Sequence, residues 1–153
     1  MQTCPRENMN KIYPYIDVLI RFIIGAIFIW ASYDKIIDPG KFAREISNYR
    51  IVPFGLENTI AITLPWIELF IGFGLIAGLY INANSFIAGV LLLLFNILVF
   101  QAMVRGFNIE CGCGLKEGQM VGYGKLFENF LLFAGCVFVL KTKEHIMYVE
   151  KFQ

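Results

Sequence analysis

Two thiols one residue apart, in Glu110-Cys111-Gly112-Cys113-Gly114, are the residues of this chain best suited to chemistry. Cysteines at that spacing can close a small strained disulfide, and strained, exposed disulfides are the labile and catalytic ones. They can also offer two thiolates to a metal, but zinc takes about four ligands, so a partner would have to supply the rest. Failing both, they are two plain cysteines in a loop. Gly112 and Gly114 remove side-chain bulk, which lets the backbone bend around so small a ring. The thiolate is the reactive form, and its availability follows its pKa. Arg105, Lys116 and Lys125 are the cations placed in sequence to lower that pKa, with Glu110 and Glu117 opposing them.

A second candidate is Glu68, a carboxyl in the middle of an apolar run. An ionisable group at membrane depth costs about 2.5–3.5 kcal/mol on insertion scales and is a functional candidate by default. Either it handles protons or a quinone, or it is a polar clamp holding helices together. Asp17 and Arg21, spaced i and i+4, are its available partners or each other's. Pro65 lacks the N–H for a helical bond and is expected to bend the chain beside Glu68. Lys125 and Glu128, at i and i+3, can pair at a helix entry, with Asn129 next to them. Asn96 and Gln101 read as interhelical hydrogen bonds. Cys136 reads as a buried apolar residue and Cys4 lies in the N-terminal extension. The single histidine, His145, sits in the tail, so the chain offers no histidine-based metal site or triad.

These residues are set among long apolar runs. The chain has 153 residues, 58% hydrophobic and 16% charged, with net charge +1 and mean hydropathy +0.63. That is too apolar and too poor in charge for an ordinary soluble domain, and it lacks the basic face that nucleic acid requires. The fold class expected is an all-α membrane protein, a four-transmembrane-helix bundle in the lipid bilayer. Its spans are expected at residues 16–33, 59–81, 86–104 and 124–140, because a crossing takes about 20 residues. Residues 1–14 form an N-terminal extension, 15–141 the membrane domain and 142–153 a C-terminal tail. No small-residue cleavage site follows the first run, so that helix is expected to serve as targeting signal and stay in the membrane.

Four spans put loop one, about 34–58, and loop three, 105–123, on one side. The Asn82-Ala83-Asn84-Ser85 segment reads as the tight turn on the other. Within loop one, Pro39-Gly40 reads as a helix start, and Phe42, Ile46 and Tyr49 fall on one helical face. The expectation is a short amphipathic helix lying at the interface. Seven Lys/Arg fall on the thiol side and five on the other, which by the positive-inside rule favours a cytoplasmic thiol loop. Disulfide chemistry favours the opposite, extracytoplasmic placement, and that is the orientation adopted. The aromatic residues near the span ends form an interfacial belt. Gly72-x-Gly74-x-x-x-Gly78 offers a smooth face for close helix packing, within the chain or in a homodimer.

Several short stretches, taken in order, resemble the DoxX-like group of four-helix membrane proteins and, more closely, its MauE branch. They are Arg21-x-x-x-Gly25-x-x-Phe28, Lys35-Ile36-x-Asp38-Pro39-x-x-Phe42, Tyr49-Arg50-Ile51-Val52-Pro53, Leu64-Pro65-Trp66-Ile67-Glu68-Leu69-x-x-Gly72, Arg105-Gly106 and Cys111-Gly112-Cys113-Gly114. The resemblance implies a bacterial inner-membrane helper that makes, keeps or passes disulfides for an extracytoplasmic client, with a periplasmic thioredoxin-like partner. In that branch the client is methylamine dehydrogenase. Glu128-Asn129 stands here where the family pattern carries Arg-Asn or Arg-Asp, and Gly114 directly follows Cys113, so the client is left open. Two other readings stand beside it. One is a non-enzymatic scaffold or assembly subunit that docks partners through the loop-one helix. The other is a small transporter or quinone-linked oxidase subunit built around Glu68.

Overall fold

The computed structural model describes residues 5–49, 53, 55–105 and 123–142. Five helices follow in chain order: α1 Pro5–Ile37, α2 Pro39–Asn48, α3 Leu56–Ala77, α4 Ile81–Val104 and α5 Tyr123–Lys141. Three of them carry stretches long and apolar enough to cross a membrane, Tyr13–Ile37, Leu56–Ala77 and Ile81–Val104. Cys111, Cys113 and Lys116 lie outside the described residues, as do Cys4, His145 and the side chain of Lys125.

The helices are built inside out relative to a soluble protein. Large apolar side chains such as Leu19, Trp30, Phe70, Phe73, Leu94, Phe100 and Phe130 point outward, whereas Asp17, Arg21, Ser32, Lys35, Glu68, Ser85 and Asn129 are buried. Helices apolar on their outer faces are stable only against another apolar medium. Together with the three long spans, this makes the chain a multi-pass membrane protein.

The bounds differ from expectation at three places. The first helix begins at Pro5 and ends at Ile37, so it runs through part of the expected extension and past residue 33. The reversal between the second and third long helices is not at Asn82–Ser85, which lies in the first turn of α4. It occurs at Gly78-Leu79-Tyr80 instead. Gly78 takes a left-handed φ of 72°, and the Leu79 N–H donates back to the Gly74 carbonyl at 2.9 Å. Asn84 looks like a turn former in sequence, but its amide donates to the Leu79 carbonyl at 2.7 Å and ties the start of α4 to that turn.

α2 forms because its start is capped twice. The Asp38 carboxylate accepts from the Lys41 N–H at 2.8 Å, and Pro39 occupies the first turn, where its missing N–H costs nothing. Its apolar face, Phe42 and Ala43, packs on Ala61 of α3 with Ile46 and Leu64 alongside. Tyr49 caps its end; burial first, then the Glu45 carboxylate, push that hydroxyl up to about 12, so it docks neutral.

α1 packs most extensively on α3, antiparallel, and the two backbones approach closely at Gly25 and Gly72. A Cβ on Gly72 would stand 2.7 Å from the Gly25 carbonyl oxygen and 2.9 Å from Ile29 Cγ1. In lipid such backbone-level contact is a main source of helix association. Gly72→Val is therefore expected to lower unfolding stability in detergent by about 1–3 kcal/mol through overpacking. Gly124→Ala, where a Cβ meets nothing within 4 Å, serves as the unaffected control. Equal stability of the two variants would contradict this packing.

The remaining contacts close the bundle. α4 packs against α5 and, less, against α3, and α5 reaches back to α1. The core joins Ile24 and Phe28 with Ile71, Leu75, Ala88, Leu92 and Cys136. One end of the bundle holds α2, the end of α1 and the start of α3. It also holds the end of α4 and the start of α5, and so both anchors of the segment that carries Cys111 and Cys113.

Candidate functional site

Glu68 meets Lys35. The Lys35 ammonium lies 2.7 Å from both Oε1 and Oε2, and the two side chains are 5% and 3% exposed. Helix geometry explains the meeting. With Gly25 level with Gly72, the Lys35 backbone lies about six residues, roughly 9 Å along the axis, nearer the α2 end than that of Glu68. Side chains lean toward their own helix N-terminus. In antiparallel helices the lysine therefore leans inward and the glutamate outward, and the two long side chains close the gap.

The ammonium is enclosed further by two rings. It lies 5.0 Å from the centroid of Phe42 on α2 and 5.3 Å from that of Phe95 on α4. A desolvated cation over a ring face gains up to about 2 kcal/mol. α2 thus does more than cover an edge, because it brings one of the rings that hold Lys35.

Arg21 does not join Glu68. Its guanidinium pairs with Asp17 at 3.5 Å, and its Nε donates to the Leu75 carbonyl at 3.2 Å. Leu75 lies in the last turn of α3, where carbonyls lack helical partners and the helix dipole favours a cation. Arg21 is therefore a helix-end clamp, about two turns of α3 away from Glu68. Pro65 lies within α3 one turn before Glu68 and is buried, and it cannot donate to the Ala61 carbonyl.

A cavity of about 30 Å³ lies beside the pair, lined among others by Phe28, Leu92, Phe95, Glu128 and Asn129. A cavity needs only about 10–15 Å³ of such volume to hold one water, so there is room here for more than one. Asn129 is 3% exposed, and its Nδ2 has no hydrogen-bond partner among the described residues. Asn96 on α4 likewise has a buried, unpartnered Oδ1, so neither asparagine amide is fully satisfied. Arg105 is exposed at the end of α4, with its backbone N–H on the Gln101 carbonyl. No group of three or more His, Cys, Asp or Glu side chains able to hold a metal occurs among the described residues.

The structure thus brings Glu68, Glu128 and Asn129 together and leaves Arg21 and Arg105 elsewhere. Lys35 is one of the seven Lys/Arg that the four-span reading puts on the thiol side, as a charge of loop one, and its role in the site was not expected. The signal was present: Asp17, Arg21, Ile24, Phe28, Ser32 and Lys35 recur at helical spacing, and all six are buried on one face of α1.

The family model for methylamine utilisation protein MauE matches residues 13–142. A protein of Methylorubrum extorquens named methylamine utilization protein MauE is 30% identical over 108 residues, 68% of this chain. Its counterpart of the same name in Paracoccus denitrificans is 28% identical over 127 residues, 80% of this chain. The aligned parts span 58% and 67% of those relatives' own lengths. No solved structure matches the chain.

Proposed function

The chain belongs to the MauE family, and on that premise we propose that it is a bacterial inner-membrane thiol-disulfide protein that makes, keeps or passes disulfides for an extracytoplasmic client. In this reading α5 is the fourth span, α2 lies at the membrane interface, and Cys111 and Cys113 face the periplasm. A thioredoxin-like partner exchanges with them. In the oxidising direction, a partner thiolate attacks the Cys111–Cys113 disulfide at Cys111, and a mixed disulfide forms as the Cys113 thiolate leaves. The partner's second thiolate then displaces Cys111, so the partner leaves as a disulfide and the two electrons stay on Cys111 and Cys113 as a dithiol, which a quinone acceptor in the membrane reoxidises. The client is that of methylamine utilisation, as the relatives' names suggest, or another protein with the same need.

The observation that supports this most is placement. α4 ends at Val104 and α5 begins at Tyr123 at one end of the bundle, so the stretch of sequence that carries Cys111 and Cys113 starts and finishes there. Two cysteines one residue apart in a polar, glycine-rich stretch suit exchange with a soluble partner better than they suit packing.

Trapping tests it. With Cys113→Ser in place, Cys111 has no internal partner, so a disulfide it forms with the thioredoxin-like protein cannot be exchanged for the Cys111–Cys113 bond; a mixed disulfide with a periplasmic protein should accumulate and vanish on reduction. Unchanged thiol exchange in that variant, with nothing trapped, would contradict the proposal.

The buried Lys35–Glu68 pair favours a second reading, a small transporter or quinone-linked oxidase subunit built around Glu68. Its signature is function lost on Glu68→Gln and retained without the thiols.

A further inference from the structure

The cavity beside Lys35 and Glu68 is a cleft between α1 and α5. Gly135 of α5 lies against Ile20 and Ile24 of α1, where the two helices meet closely. Toward the α2 end they present Ile27 and Ala31 on one side and Glu128 and Leu132 on the other, all four half-buried, with the ion pair behind them. Ala31 is short, so the gap opposite Glu128 stays open. The neighbouring outward residues, Trp30, Phe127 and Leu131, are exposed and apolar. The mouth of the cleft therefore opens onto an apolar outer face.

Its polar groups define what fits. Lys35 is already neutralised by both oxygens of Glu68. Asn129, though 3% exposed, has an Nδ2 with no partner among the described residues, and it lines the cleft. A buried amide donor left unmet costs about 1–3 kcal/mol. An anion entering here would meet the Glu128 carboxyl group and, in Lys35, a cation already paired with Glu68. A cation would leave the Asn129 donors unmet. A saturated hydrocarbon would satisfy neither.

We propose that this cleft binds an uncharged, lipid-borne molecule whose head presents one alcohol or carbonyl oxygen, with that oxygen accepting from Asn129 Nδ2 and its apolar body leaving between α1 and α5. The cavity of about 30 Å³ receives the oxygen-bearing tip, and the rest of the molecule extends through the mouth. This site requires neither Cys111 nor Cys113, so it stands or falls apart from the thiol reading.

Photolabelling decides it. The full chain in lipid nanodiscs is irradiated with 3-azioctanol, an alcohol carrying its own photoreactive diazirine, or with an azi-octane lacking the hydroxyl, and adducts are mapped by mass spectrometry. The alcohol should label Ile27, Ala31 or Leu132. That labelling should fall at least fivefold in Asn129→Leu and also in Ala31→Leu, which closes the mouth without touching a polar group. The hydrocarbon probe should label the outer faces equally in all three proteins, which also shows that the variants are folded. Alcohol adducts confined to the outer faces, as expected if the cleft holds only water, would overturn the proposal. So would cleft labelling that is equal for both probes or unchanged in both variants.

Discussion

Lys35→Met should lower the unfolding stability of the detergent-solubilised protein by about 3–5 kcal/mol, the cost of leaving one member of a buried ion pair without its partner. Glu68 is 2% exposed, and both of its oxygens are held by Lys35. With the lysine gone, the carboxylate must take up a proton or remain an uncompensated charge among Phe28, Leu92 and Phe95. The double variant Lys35→Met, Glu68→Leu should recover most of the loss, because two apolar side chains of similar volume remove the need for pairing. The coupling from the double-mutant cycle should then be large and favourable. A single Lys35→Met variant within about 0.5 kcal/mol of wild type would show that the pair contributes no more than an ordinary surface substitution. The double variant also divides the readings of Glu68. If it folds and functions, the pair is a clamp; if it folds and fails, the cleft itself is needed.

The second large effect concerns the thiols. Cells carrying Cys111→Ser together with Cys113→Ser should accumulate reduced client to the level of cells without the protein. The unfolding temperature of the purified bundle should stay unchanged. The reason is position: both cysteines fall in the segment between the end of α4 and the start of α5, whereas the core is made by residues such as Ile24, Ile71, Leu75 and Leu92. The scaffold reading predicts the opposite outcome in cells, normal client maturation without either thiol.

Hydrophobic run length was enough to locate the long helices, because an apolar stretch near membrane length has few alternatives. Residues 124–140 come within a residue of α5 at both ends, and the expected spacing of Phe42, Ile46 and Tyr49 matches the buried side of α2. Turn chemistry misled at Asn82–Ser85. Polar residues that open a helix and fold back on the preceding turn have the same composition as a loop, and only the left-handed backbone at Gly78 and Tyr80 marks the reversal. Charge misled at Lys35, where a lysine near a helix end reads as exposed unless the whole buried stripe from Asp17 onward is followed. Depth counting along the spans puts Arg21 nearer the face opposite the thiols, and only the length of its side chain leaves it a candidate partner of Glu68. The Gly25–Gly72 register sets it too far along the axis and leaves it to the end of α3. The unmet donor on Asn129 has no sequence signal, since it depends on how α1, α4 and α5 close around one cavity.

The most direct test of the central claim is labelling of intact cells with a membrane-impermeant maleimide, using a variant that keeps only Cys111 and Cys113. The account predicts labelling after mild reduction and none before it, the mark of an outward-facing disulfide. Labelling that needs the cells to be opened, or that is the same with and without reduction, would contradict it.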